Sequence, residues 1–244
     1  DIDRTQAEHA LDLLELDSGS WFPNYNRMLD SGTVDAVVIG TPMDLHASQS
    51  IAALQHGIHV LCAVPAGVTI RECRELTIAS RSSSAIYTMA ENYIFLKECL
   101  MVEALVAHGE IGTPYYAEGE YIHELKTLNE QTPWRRQWQT GVNGITYGTH
   151  SLGPILRWMT DDRVERVTCR GSGHWHQDPR NETYENEASC VALCSLRSGG
   201  LVKLRVDMLS DRPHATRNYQ LQGTDGVFES SRRPEEPHKV WLRS

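Results

Sequence analysis

The chain has 244 residues, 40% of them hydrophobic and 23% charged, a composition typical of a folded protein with one large or two modest domains. A net charge of −9 without any basic run argues against nucleic acid or an anionic membrane surface as a partner and favours a small molecule. The six cysteines lack the regular spacing of a disulfide scaffold, and no apolar run reaches the length of a membrane span, so we expect a cytoplasmic protein with reduced thiols.

Residues 1–92 alternate between helical and strand patterns. Apolar residues recur at helical spacing over residues 5–16, where Asp3 or Thr5 is the expected cap. Short runs rich in β-branched residues predict buried parallel strands separated by helices. The predicted strands are 33–40, 59–62 and 86–89, and the predicted helices are 51–57 and 70–80. This order indicates a Rossmann-type parallel sheet, whose ligands bind beyond the carboxyl ends of the strands, here the turns at Thr41, Ala63 and Glu91.

A different pattern begins at Tyr93, where we expect a second domain of residues 93–244. A helical pattern over residues 95–109 precedes residues 114–123, in which polar and apolar residues alternate as in an antiparallel strand. Further strands are predicted at residues 164–171, 188–196, 201–208, 219–222 and 226–228, and residues 232–237 resemble a loose tail. The second domain is therefore predicted to be α+β, with an open, mostly antiparallel sheet.

Residues 141–159 carry the clearest functional signal. Pro154 lacks an amide hydrogen and is best tolerated in a first helical turn, so we predict a helix that begins near Ser151. Tyr147 and His150 then lie at its amino-terminal end, where the helix dipole disfavours an imidazolium and would keep His150 neutral, as a base requires. The alternative is a histidine that only caps or packs beside a glycine-rich turn.

Several segments, in this order and spacing, resemble the Gfo/Idh/MocA oxidoreductases. They are residues 34–42 with Leu45-His46, residues 53–60, residues 109–112 and residues 148–150. The resemblance implies a Rossmann domain that holds NAD or NADP, followed by an α/β domain whose sheet carries a sugar site and often forms a homo-oligomer. The cofactor contacts that it implies are Thr41, Pro42, Leu45, His46, Val64 and Pro65, with Asn92 at the third turn.

The chain departs from the family pattern in two ways. The first strand and the glycine-rich phosphate loop of the family are not in this sequence, and Asp1 falls where an acidic residue would bind the adenosine ribose, so we expect a truncated chain with a weak pyrophosphate site. The family's dehydrogenases also have Glu-Lys-Pro where this chain has Ala63-Val64-Pro65. Because valine cannot take a proton, either the protein is inactive or other residues act as the base.

One branch of the family, the NAD-dependent glycosidases of glycoside hydrolase family 109, resembles this chain more closely and can also lack the lysine. The similar segments are Glu91-Asn92, residues 118–125, Trp134-Arg135 and residues 147–154. The implied mechanism oxidises the C3 hydroxyl of a sugar, which acidifies the C2 proton; the aglycone then leaves by elimination, water adds, and the hydride is returned. The acid and base groups available for it are Tyr121, His123, Tyr147 and His150.

Structural explanations compete with several of these assignments. Tyr121 and His123 lie two apart on a strand and face the same way, so they could form a purely structural pair. Trp134 and Arg135 could bind a sugar or could belong to a solvated charge cluster. His174 and His176 have a spacing that a metal could use, but no third ligand follows, so no metal is predicted. Cys190 and Cys194 are expected in the core.

The sequence thus favours a Gfo/Idh/MocA-type enzyme that binds a nicotinamide cofactor and acts on a sugar or glycoside, with redox-assisted glycoside hydrolysis preferred because the lysine is absent and both Tyr/His pairs are present. A sugar or polyol dehydrogenase is the first alternative. A non-catalytic ligand-binding or assembly protein on the same fold is the second.

Overall fold

A computed structural model describes residues 1–160, 162–212, 215–233 and 235–243. The chain forms two compact units, Asp1–Ala90 and Glu91–Ser244, which divide close to the boundary expected after residue 92. None of the helices in the described parts of the chain is long and apolar enough to cross a membrane.

The first unit contains a three-stranded parallel sheet in the order β1-β2-β3. Its elements are α1 (Arg4–Leu13), α2 (Tyr25–Asp30), β1 (Ala36–Ile39), α3 (His46–Gln55), β2 (His59–Cys62), α4 (Ile70–Ser82) and β3 (Tyr87–Met89). Asp3 caps α1, because its carboxylate accepts hydrogen bonds from the amides of Thr5 and Gln6. The predicted order of strands and helices is confirmed.

The strands of this unit are buried on one face. Val37, Val60 and their neighbours pack in a core with Leu54 of α3 and Leu76 of α4. On the other face, Val38 is 80% exposed, so the expectation of strands buried on both sides is wrong for the described chain. The apolar residues on the buried face of β1 reflect burial, whereas those on its exposed face reflect β-strand propensity.

The second unit is built on a seven-stranded sheet in the order β10-β9-β8-β4-β7-β6-β5. Its strands are β4 (Pro114–Ile122), β5 (Val164–Gly171), β6 (Cys190–Leu196), β7 (Leu201–Asp207), β8 (Ala215–Gly223), β9 (Gly226–Glu229) and β10 (Lys239–Leu242), and its helices are α5 (Lys97–Ala107), α6 (Lys126–Gln131), α7 (Pro133–Arg135) and α8 (Thr149–Trp158). Neighbouring strands are antiparallel except for β4 and β7, so the predicted mostly antiparallel sheet is confirmed.

Helix α8 lies close against the sheet. Ile155 and Trp158 are buried in the main core of the unit, and the indole nitrogen of Trp158 donates to the Cys99 carbonyl at 3.0 Å. Gly119 on β4 makes the close approach possible, since a Cβ there would lie 2.6 Å from the carbonyl oxygen of Ser151. The absence of a side chain at residue 119 therefore sets the distance between helix and sheet.

Helix α8 starts two residues before the predicted position near Ser151. The helix begins at Thr149 and contains Pro154 beyond its first turn. An interior proline leaves the carbonyl four residues earlier, that of His150, without its helical donor. The hydroxyl of Tyr219 on β8 donates to that carbonyl at 2.5 Å, so a partner from the sheet compensates for the missing amide.

We predict that Gly119→Ala destabilises the second unit by about 2 kcal/mol, because the new methyl group would overlap main-chain atoms of α8 that cannot move independently. Urea unfolding followed by tryptophan fluorescence measures this. The matched control is Gly19→Ala, whose Cβ would meet no heavy atom within 4 Å and which should be nearly neutral. Equal stability of the two variants would contradict the tight packing.

Candidate active site

His150 lies in the first turn of α8 and is buried. Its Nδ1 atom is 2.7 Å from Oε1 of Glu91, a residue that is also buried. The same oxygen accepts a hydrogen bond from the amide of Tyr93 at 3.2 Å. Gly153, one turn along α8, makes room for this carboxylate, since a Cβ there would lie 2.6 Å from Cγ of Glu91. A carboxylate can only accept, so the neutral imidazole carries its proton on Nδ1 and presents a lone pair at Nε2.

Three tyrosine rings surround the imidazole of His150. Tyr93 stacks on it with ring centroids 4.0 Å apart and planes 14° apart. Tyr121 lies at 5.6 Å, and Tyr147 meets it edge-on at 5.2 Å and 77°. These rings come from the segment after Glu91, from the end of β4 and from the turn before α8, so residues distant in sequence form one cluster.

Burial raises the pKa of both Tyr121 and Tyr147. The next contribution for Tyr121 comes from Tyr147, and for Tyr147 from the carboxylate of Glu91. The charge of Arg135 acts in the opposite direction on Tyr147, which shows that this guanidinium lies within electrostatic range of the phenol. Both phenols are therefore protonated at neutral pH and can donate hydrogen bonds.

Tyr121 and His123 are in direct contact, as their spacing on one strand predicts. The hydroxyl of Tyr121 is 2.9 Å from Nδ1 of His123, and the His123 amide donates to the carbonyl of Asp207 at 2.9 Å. A protonated phenol donates to Nδ1, which places the neutral histidine's proton on Nε2. The geometry fits either a structural pair or an acid–base relay.

The structure brings together all four residues predicted to be catalytic: Tyr121, His123, Tyr147 and His150. Sequence reasoning did not include Glu91 and Tyr93 among the site residues. Their position directly after β3, where a Rossmann-type sheet binds its ligands, was the available signal.

Trp134 and Arg135 lie in the short helix α7, with the guanidinium carbon of Arg135 4.3 Å from the centre of the Trp134 ring. The next residue, Arg136, forms ion pairs with Asp178 and, at 3.0 Å, with Glu182. This segment is therefore held by ion pairs to the buried Asp178 and to the exposed Glu182, while the charge of Arg135 acts to lower the pKa of Tyr147.

In the first unit, His46 joins the turns that follow β1 and β2. Its Nδ1 atom is 2.7 Å from the carbonyl of Pro65, and its Nε2 atom is 2.9 Å from the carbonyl of Thr41. Burial alone would lower the pKa of His46, but the Cys62 thiol and the two carbonyls together raise it to about 8. An imidazolium with both N–H groups donating is thus the favoured state.

The other residues predicted to contact a cofactor are distributed between the units. Pro42, Leu45 and Val64 lie in the two turns that His46 connects, whereas Asn92 follows Glu91 in the second unit. Asp1 is exposed, and its carboxylate accepts the amide of Asp3 at 2.9 Å.

The remaining polar and thiol candidates have structural partners. His174 lies with Nδ1 2.9 Å from the carbonyl of Tyr184, and no group of three or more potential metal ligands occurs among the residues that the structure describes. Cys190 and Cys194 are buried in β6, and burial raises the pKa of Cys190 to about 11, as expected for core thiols.

Comparison with known proteins identifies the family. Residues 1–91 match a model described as the oxidoreductase family with an NAD-binding Rossmann fold, and residues 99–229 match the GFO/IDH/MocA C-terminal domain. The chain belongs to the Gfo/Idh/MocA family. This confirms the resemblance inferred from the sequence.

The curated relatives of this Gfo/Idh/MocA chain include glycosidases. A glycosyl hydrolase family 109 protein of Saccharopolyspora erythraea is 31% identical over 226 residues, and an α-N-acetylgalactosaminidase of Shewanella oneidensis is 31% identical over 225 residues. Each alignment covers 84% of this chain and 49% of the relative. The chain therefore spans about half the length of the curated relatives that it matches.

Solved structures share the fold. An inositol dehydrogenase homolog from Azotobacter vinelandii, complexed with NAD+, is 19% identical with a TM-score of 0.78, and the match covers 100% of this chain and 67% of that one. Myo-inositol 2-dehydrogenase from Lactobacillus plantarum is 20% identical with a TM-score of 0.78, and covers 100% and 73%. At these identities the likeness establishes the Gfo/Idh/MocA fold alone.

We predict that His46 makes stability fall at alkaline pH. Its folded-state pKa of about 8 lies above the reference value of 6.5, so its contribution is complete below pH 6.5 and is lost as the pH rises through 8. We expect the free energy of unfolding in urea to fall between pH 6 and pH 9 by about 1 kcal/mol more in wild type than in His46→Gln. The exposed His9→Gln control should behave as wild type. An unchanged pH dependence in His46→Gln would contradict the assignment.

Proposed function

We propose that the protein is an NAD-dependent enzyme that acts on a sugar or glycoside, and that it cleaves a glycosidic bond through transient oxidation of the sugar. The observation that carries this proposal is the buried Glu91–His150 pair surrounded by the phenols of Tyr93, Tyr121 and Tyr147. A carboxylate on Nδ1 fixes the tautomer and the orientation of the ring, as a histidine that exchanges a proton at Nε2 requires. The names of the family 109 relatives support the same activity.

His150 is the proposed base. The carboxylate of Glu91 holds the imidazole in the tautomer with a lone pair on Nε2 and stabilises the imidazolium that forms when Nε2 takes a proton. The geometry resembles the histidine–carboxylate pair of other acid–base enzymes, in which the carboxylate orients the ring and remains ionised. Glu91 is accordingly a positioning residue, and His150 is the group that exchanges the proton.

A second acid–base pair is formed by Tyr121 and His123. The raised pKa of Tyr121 keeps the phenol protonated, and its 2.9 Å contact with Nδ1 of His123 provides a path between the two groups. Redox-assisted elimination requires proton transfer at C3, at C2 and at the leaving oxygen, which is more than one histidine can perform. The presence of two pairs, together with the protonated phenol of Tyr147, supports this route over a simple hydride transfer.

The second carboxylate oxygen of Glu91 supports a hydroxylated substrate. Oε2 is buried and has no hydrogen-bond partner in the described structure. An unsatisfied buried acceptor costs about 1–3 kcal/mol, and more when it is charged. A sugar hydroxyl could donate to this oxygen, and Trp134 and Arg135 are the residues proposed to contact the rest of the substrate.

The first unit provides part of a nicotinamide-dinucleotide site. Thr41, Pro42, Leu45, Val64 and Pro65 are proposed to contact the cofactor from two turns whose carbonyls His46 holds side by side. Asn92 in the second unit and Asp1 are the remaining proposed contacts, and the 244 residues contain no G-x-G-x-x-G loop for the pyrophosphate. NAD bound at this site would supply the hydride acceptor for oxidation of the sugar and the hydride donor for its reduction. Because Val64 offers no proton acceptor, proton transfer is assigned to the second unit.

Association of copies through the open sheet is a further proposal.

Hydrolysis and net oxidation differ in their products. With the intact protein and NAD, we expect continuous release of 4-nitrophenol from 4-nitrophenyl α-N-acetylgalactosaminide, with no net NADH when the nucleotides are separated and quantified by chromatography. The aryl glycoside is chosen because of the relative in S. oneidensis. NADH produced in step with the oxidation of a free sugar or inositol would instead establish the dehydrogenase alternative. Neither product, despite measurable ligand binding, would favour the non-catalytic alternative.

We predict that His150→Gln lowers kcat by at least about 100-fold, because the base is removed while a similar volume is kept. The matched control is His108→Gln, an exposed histidine at the end of α5, which should retain full activity. Thermal unfolding of both variants establishes that each is folded when assayed. A folded His150→Gln protein with wild-type kcat would refute the proposed role.

A further inference from the structure

We propose that Tyr219 is a positioning residue for His150, acting on the main chain through the carbonyl that Pro154 leaves without a helical donor. The inference rests on the proposed function, because it assigns Tyr219 a role in placing the proposed base. In a regular helix, the amide of residue 154 would donate to the carbonyl of residue 150. Proline has no amide hydrogen, and the hydroxyl of Tyr219 takes its place at 2.5 Å.

The phenol of Tyr219 is held firmly by its own surroundings. Its ring meets the indole of Trp158 edge-on, with centroids 5.4 Å apart and planes 78° apart. Its amide donates to the hydroxyl of Ser230 at 2.7 Å, and its carbonyl accepts the Ser230 amide at 2.9 Å. Tyr219 therefore has a fixed place in β8 and a fixed ring direction, as a group that defines the position of another must have.

Gly119 allows the helix and the tyrosine to meet. It is the cross-strand partner of Tyr219, so both residues face the same side of the sheet. At Gly119 the carbonyl of Ser151 approaches the strand closely, while at Tyr219 the side chain reaches the carbonyl of the preceding residue, His150. Two consecutive carbonyls of the first turn of α8 are thus located by two paired residues of the sheet.

The position of the His150 main chain decides its side-chain contacts. The 2.7 Å contact with Glu91 and the 4.0 Å stacking on Tyr93 both require the Cα atom to remain in place. Burial also raises the pKa of Tyr219, so its hydroxyl remains a donor throughout the physiological pH range. Loss of the hydroxyl would leave the His150 carbonyl buried without a partner, and the first turn of the helix could shift to satisfy it.

The decisive experiment is a double-mutant cycle on Tyr219→Phe and Pro154→Ala in the intact protein. Tyr219→Phe keeps the ring and removes only the hydroxyl, and we expect kcat to fall by about 10-fold or more because the base is displaced. Pro154→Ala restores the amide donor for the same carbonyl. The double variant should therefore regain kcat to within about threefold of wild type, and Pro154→Ala alone should be nearly wild type.

A purely structural role predicts something different. In that case Tyr219→Phe would lower the unfolding temperature but leave both kcat and the imidazole nitrogen signals of His150 unchanged, and that result overturns the proposal. A fall in kcat that Pro154→Ala does not rescue would overturn it as well. Should Tyr219→Phe fold only in combination with Pro154→Ala, the shared carbonyl would be supported. If neither Tyr219→Phe nor the double variant folds, the proposal is overturned.

Imidazole nitrogen NMR separates this proposal from the catalytic role of His150. The His150 signals, assigned with His150→Gln, report the tautomer that the Glu91 contact imposes. We expect them to change in Tyr219→Phe and to recover in the double variant. Unchanged signals would overturn the positioning role, whereas signals that change and recover without loss of kcat would uphold it and refute catalysis by His150.

Discussion

The hydrogen bond between Glu91 and Nδ1 of His150 is the interaction on which the site depends. Burying a carboxylate is costly unless it is well paired. Oε1 of Glu91 accepts the imidazole N–H and the amide of Tyr93, whereas Oε2 has no hydrogen-bond partner in the described structure. In return the carboxylate selects one tautomer and one orientation of the ring. Without it, the tyrosines around His150 would enclose an imidazole of undefined protonation. The cluster becomes a candidate for proton transfer only because the acceptor on Nδ1 is fixed.

The two units contain different kinds of histidine, and the difference is chemical. Both nitrogens of His46 face carbonyl oxygens, so protonation strengthens its contacts and the residue holds two turns together. His150 has a carboxylate on Nδ1 and tyrosine rings around it, so Nε2 is the nitrogen proposed to exchange a proton. The buried Val64 occupies the position at which the family resemblance implies a lysine in dehydrogenases. The groups proposed to transfer protons therefore belong to the second unit.

The sequence predicted local structure better than it predicted partners. Periodicity located the strands and helices, and the period of two over residues 114–123 placed Tyr121 and His123 together. The Glu91–His150 contact joins residues 59 apart in sequence, and no local pattern encodes such a distance. The position of Pro154 beyond the first turn of α8 was not predicted, because the partner of the His150 carbonyl comes from 69 residues away. Strand β10 was missed because all four of its residues are exposed and leave no alternation to detect.

An interior proline in α8 has a consequence beyond the loss of one helical bond. A regular helix satisfies its own carbonyls, so its first turn is located only relative to the next turn. Here the His150 carbonyl is bound by Tyr219, and the Ser151 carbonyl is packed on Gly119. Tyr121, which faces the His150 ring, belongs to the same strand as Gly119. The main chain of the proposed base and the residue Tyr121 are therefore both held by the seven-stranded sheet.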